Sequence, residues 1–106
     1  MRWYGVRSFY RFEASADRPD VYEERVVLFE ADGADAAVAK AEAESAQYVA
    51  LLEHGEVLPC WQAFSLSDEP GEGAEVFSLM RNSALPSGPY IDRFFDTGEE
   101  RQREID

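Results

Sequence analysis

The start of the chain is rich in aromatic residues. Trp3 to Glu13 (WYGVRSFYRFE) has no breaker beyond Gly5, which predicts a strand. A period of two places Tyr4, Val6, Ser8, Tyr10 and Phe12 on one face, and Trp3, Arg7, Phe9 and Arg11 on the other. Ala14 to Asp20 (ASADRPD) is small and acidic, and its Pro19 cannot continue a ladder, so it reads as a turn. Val21 to Ala31 (VYEERVVLFEA) predicts a second strand, and the two make a long β-hairpin.

The period then changes. Asp32 or Gly33 caps a helix that opens at Ala34, and Asp35 sits in its first turn, where a negative charge suits the macrodipole. Apolar residues recur at Val38, Ala41, Tyr48, Val49 and Leu52, which carries the helix to about Glu53. Lys40, Glu42 and Glu44 fall off that stripe and are expected in solvent; Gly55 is expected to end the helix. Val57 to Ser67 (VLPCWQAFSLS) carries no charge and predicts a strand, with Pro59 near its start or at an edge. Asp68 to Gly73 is a turn cluster, and Glu75 to Met80 (EVFSLM) predicts a fourth strand. Over Pro89 to Phe95 one or two helical turns are expected, with Ile91, Phe94 and Phe95 docked in the core and Gly98 as terminator.

These elements predict an α+β fold with residues 1–98 as one domain. It is a four-stranded antiparallel sheet in the order β-β-α-β-β, one long helix packed on one face, a short C-terminal helix, and a charged tail over residues 99–106. Both faces of the first strand carry aromatics, and one long helix covers only one of them. The C-terminal helix, a second subunit or a binding partner must shield the other.

Charge sharpens this picture. The 106-residue chain has a net charge of −12. Residues 1–12 hold three arginines and no acid, residues 13–56 hold twelve acids against three bases, and residues 68–106 hold ten acids against four arginines. Such a field repels phosphate backbones and anionic lipid and attracts cationic partners, so neither nucleic acid nor membrane is expected to bind. Solubility alone is the plainer reading of the same charge. Cys60 is the only cysteine, which excludes an internal disulfide and a Cys-based zinc site. With no signal-like apolar stretch at the N-terminus and no run near membrane-spanning length, the expected location is cytoplasmic.

Four blocks carry a resemblance: Trp3-Tyr4-Gly5-Val6-Arg7, Tyr22 to Leu28 (YEERVVL), Glu75-Val76-Phe77-Ser78, and Asp92 to Gly98 (DRFFDTG). Together they resemble the short bacterial proteins of domain-of-unknown-function family 4288. The resemblance spans nearly the whole chain and implies a bacterial single-domain protein without assigning it any chemistry.

No catalytic constellation emerges, and the chain reads as leaning away from an enzyme. His54 and Cys60 are six residues apart, but His54 suits a helix end and Cys60 a buried strand position, so packing accounts for both. Glu53, His54 and Glu56 straddle a helix end that splays them, which makes no metal signature, and Gly71-x-Gly73 lies among acids that would repel phosphate. No cofactor is implied. Arg7 and Arg11, flanked by Trp3 and Phe9, could grip an anion by fork geometry and stacking. The competing role is pairing with Glu23 and Glu24 across the hairpin, with Arg11 and Glu23 as neighbours. Arg93, within the aromatic C-terminal block, is an interface candidate.

The expected function is therefore an interaction module, immunity-like or regulatory, that binds a basic protein and forms a homodimer. Its binding residues are Trp3, Arg7, Phe9, Arg11 and Arg93. The alternative is a domain that binds a small anion, or an enzyme, built from arginine, tyrosine and carboxylate side chains. A deep pocket lined by Arg7, Arg11 and Tyr10 would favour it.

Overall fold

Strands β1 (Arg2–Phe12) and β2 (Val21–Ala31) form the long hairpin, in an antiparallel register from Arg2 opposite Ala31 to Phe12 opposite Val21. The chain then enters helix α1 (Ala34–Ala50) and returns as β3 (Gly55–Ser65), antiparallel to β1 on its other side. A second helix, α2 (Ser87–Phe94), follows far downstream. A computed structural model describes residues 1–102; the last four positions of the charged tail lie outside the described residues.

The sheet has three strands in the order β2-β1-β3, not four. The expected strand over Glu75–Met80 pairs with no neighbour. Its physical alternative is visible at Gly5, where the missing side chain leaves room for the Phe64 ring and the Val76 carbonyl directly above the sheet. Phe77 meets the Phe64 ring at 5.3 Å, so the segment lies over the sheet face and buries aromatic surface there. The outer edge of β3, where a fourth strand would add, is also a poor template. The register with β1 slips between Ser8 and Tyr10, opposite Leu58-Pro59-Cys60, and Pro59 has no N–H to offer.

Alternation on β1 sets the two faces. Tyr4, Val6, Ser8 and Tyr10 are buried under α1, as the period of two requires. The helix meets them with small residues: Ala37, Ala41 and Ser45, at intervals of four, are fully enclosed. The stripe read from Val38, Ala41, Tyr48 and Val49 is thus offset from the true contact line. Small residues let the helix approach closely, and the bulk of the core comes from the sheet through Tyr4, Val6, Phe29 and Trp61. Gly33 takes the N-cap position in extended backbone with no side-chain cap. The helix ends before Gly55, and the left-handed residue that follows it is His54, at φ 60°.

Beyond the segment around Phe77, α2 is not folded onto this body. Helix α2 packs against neither the sheet nor α1, and none of its residues is buried. The expectation that Ile91, Phe94 and Phe95 dock in the core is therefore corrected. A closed domain of this length has a radius of gyration of about 13 Å, whereas this chain has 16.0 Å.

A side chain at Gly5 would strike the Phe64 ring at 2.5 Å and the Val76 carbonyl at 3.0 Å. Gly5→Val is expected to cost about 1–3 kcal/mol by overpacking, read by urea denaturation. Gly71→Ala, where nothing lies within 4 Å, should change stability by less than about 0.5 kcal/mol.

Candidate functional site

The face of the sheet turned away from α1 holds four of the five residues expected to bind. Trp3, Arg7, Phe9 and Arg11 project from β1 on this side, all half-buried. Register places Tyr22, Glu24, Val26, Leu28 and Glu30 of β2 beside them, and Glu56, Gln62 and Phe64 of β3 on the other flank. Arg93, the fifth, stands on α2 with its guanidinium 5.4 Å from the ring centre of its neighbour Phe94. It does not join the sheet-face group.

Both arginines are engaged. Arg7 donates to Glu24 at 2.5 Å and to Gln62 Oε1 at 3.4 Å, with its guanidinium 5.1 Å from the Phe9 ring and 5.4 Å from Phe77. Arg11 lies 2.7 Å from Glu56 through Nε and 3.3 Å from Asp20. Glu56 holds the Arg11 guanidinium above its ordinary pKa, with burial opposing and Asp20 assisting. The pairing with Glu23 does not occur, because Arg11 sits opposite Tyr22 while Glu23 sits opposite Tyr10 and faces the helix. A fork that already grips carboxylates on two sides offers few donors to an incoming anion.

Tyr10 is on the other face, so no pocket gathers it with Arg7 and Arg11. It belongs instead to a polar cluster between sheet and helix that the sequence pattern did not expose. The Tyr10 hydroxyl lies 2.8 Å from Ser45 Oγ and accepts from Arg25 at 3.1 Å. Arg25 makes a two-pronged contact with Glu44, at 3.2 and 2.9 Å, and stacks 3.6 Å from the Tyr48 ring centre. The Tyr48 hydroxyl donates to Glu23 at 2.6 Å. Burial alone would lower the Arg25 pKa, but the hydrogen bonds it donates to Glu44 and Tyr10 outweigh it and raise it. Glu44 is thus a structural partner of the sheet and not a free surface acid. The available signals were Glu23 and Arg25, two charges at inward positions of β2.

The remaining candidates disperse. Cys60 is exposed at the irregular part of β3 and not buried as its uncharged surroundings suggested. His54 lines an open concavity of about 370 Å³ with Glu13, Ala14 and Ser15, and its carbonyl accepts from the Glu13 N–H at 3.0 Å. A second, smaller hollow of about 200 Å³ lies near Trp3, Glu30 and Leu66. Arg7 and Arg11 line neither hollow. Among the described residues no group of three His, Cys, Asp or Glu side chains is placed to hold a metal ion. Nor is any described helix long and apolar enough to cross a membrane. No family model matches the chain, and neither a curated protein nor a solved structure does.

Tyr10→Phe removes one hydroxyl and strands Ser45, so it is expected to cost about 1–3 kcal/mol in chemical denaturation. Adding Ser45→Ala should recover part of that loss, because the orphaned buried group is then gone. His54→Gly should stabilise by roughly 1 kcal/mol in the same assay, since glycine adopts the left-handed backbone without cost.

Proposed function

We propose that this chain is a protein-interaction module with two working sides, a basic partner on the acidic helical side and a second copy on the sheet side. One observation carries the reading: large apolar side chains that the fold leaves in water. Met80 is 91% exposed, Phe95 76% and Tyr22 66%, in a domain whose two described hollows are open and shallow. Surfaces of this kind suit flat association and not enclosure of a small molecule. Charge supplies the sign of the heterologous partner. Asp35 and Glu42 are exposed on the outer side of α1 in a chain of net charge −12, which favours a basic protein. The likeness to bacterial family 4288 is part of the same proposal and rests on the four sequence blocks. The alternative, an anion site built on Arg7 and Arg11, loses support because both guanidinium groups are already paired.

The test is capture from native bacterial lysate at low and high salt, followed by association kinetics with the partner recovered. Steering by acids acts on the encounter and is screened over roughly 8–10 Å at 0.1–0.15 M salt. Asp35→Asn with Glu42→Gln is expected to lower the on-rate several-fold and leave the off-rate nearly unchanged. Recovery of only neutral or acidic proteins would remove the basic-partner reading.

A further inference from the structure

We propose that the chain beyond Phe77, through residue 95, forms an exchanged arm, with α2 of each chain seated on the β2 half of the open sheet face of a second copy. This rests on the self-association half of the reading above and names the surfaces that make it.

The first ground is area. A folded monomer of 12.0 kDa exposes about 6,000 Å², whereas this chain exposes 8348 Å². The excess, roughly 2,300 Å², is on the scale that each subunit of a large permanent homodimer buries. Within the arm Leu79, Met80, Ile91, Phe94 and Phe95 are exposed. Among the described residues Arg81 reaches α2 from outside it: its guanidinium lies 4.9 Å from the Phe94 ring and it donates to the Tyr90 hydroxyl at 3.4 Å.

The second ground is the acceptor. Phe77 and Val76 cover the β1–β3 half of the face through Phe64 and Gly5, which leaves the β2 half open. There Tyr22 and Val26, 41% exposed, point the same way as Glu24 and Glu30. Tyr22, Val26 and Leu28 make an apolar row that is interrupted by Glu24, which Arg7 holds, and ends at Glu30; a helix presenting Ile91, Phe94 and Phe95 beside Arg93 fits it.

Charge selects the occupant. Residues 78–95 hold Arg81 and Arg93 against Asp92 alone, a net of +1, within a chain of −12. The remainder of the chain is therefore strongly acidic, and a second copy presents that surface. Residues 81–86 carry no helix or strand, and six extended residues reach roughly 20 Å, enough to hand α2 across a two-fold axis. Exchange of one element between identical chains is a low-cost route to a closed dimer.

Light scattering at micromolar concentration should give twice 12.0 kDa. The double variant Phe94→Ser/Phe95→Ser should give the single-chain mass and still melt cooperatively, because α2 is not part of the core, but at a lower midpoint, because the native dimer stabilises the folded chain. For the seat itself, Val26→Cys and Phe95→Cys chains, each in a Cys60→Ser background, are mixed and treated with a bismaleimide. A crosslinked pair joining the two different chains is expected. A single-chain mass for the native protein, or a link forming only within a doubly substituted chain, would overturn the exchange. A dimer that survives the double serine substitution would also overturn it while leaving self-association standing. Capture of a basic partner by the monomeric variant reports on the heterologous reading separately.

Discussion

Strand β1 is hydrogen-bonded along both edges, by β2 on one side and β3 on the other, and α1 covers one of its two faces. A central strand surrenders its backbone to its neighbours, so its side chains must be accommodated above and below. On one side Tyr4, Val6, Ser8 and Tyr10 require a cover that tolerates two phenol rings close to a helix axis. The alanines and serine of α1 supply it, since a helix lined with small residues settles deep enough to exclude water from large strand side chains.

That cover brings polar atoms inside, and the cluster around Tyr10 follows from it. A buried phenol needs a partner, and Ser45 and Arg25 provide two. Arg25 in turn needs an acid, which Glu44 offers from the helix in a bidentate geometry. The pair is only partly buried, so its net contribution to stability is modest. Its clearer consequence is registry: the contacts fix which turn of α1 lies over which residue of β2.

The other face follows a different logic. It carries Trp3, Arg7, Phe9 and Arg11; Arg7 is held by Glu24, Gln62 and two ring faces, and Arg11 by Glu56 and Asp20. The chain covers half of this side with the segment around Phe77 and leaves the rest open. The same economy leaves α2 without a seat on its own body. An open aromatic strip and an unseated aromatic helix in one chain are two halves of one packing problem.

Alternation and period were enough to read the hairpin, α1, a strand at β3 and the side of β1 on which each residue falls, because these depend on local geometry and on neighbours within a few residues. The sidedness of Trp3, Arg7, Phe9 and Arg11 was legible for that reason, and so was the insufficiency of one helix to cover both faces. Three things were not legible. Glu75–Met80 has the composition of a strand, but whether it pairs at an edge or lies across a face depends on Gly5 and on the irregular edge at Pro59, distant in sequence. Ile91, Phe94 and Phe95 have the spacing of a docking helix, but periodicity shows only that a face is apolar and not whether the same chain covers it. The partners of Arg25 and Tyr10 lie 19 and 35 residues away on α1, and only the folded chain brings them within reach. Short-range pattern determines elements and their faces; which surfaces meet is decided by contacts between residues far apart in sequence, which no local window contains.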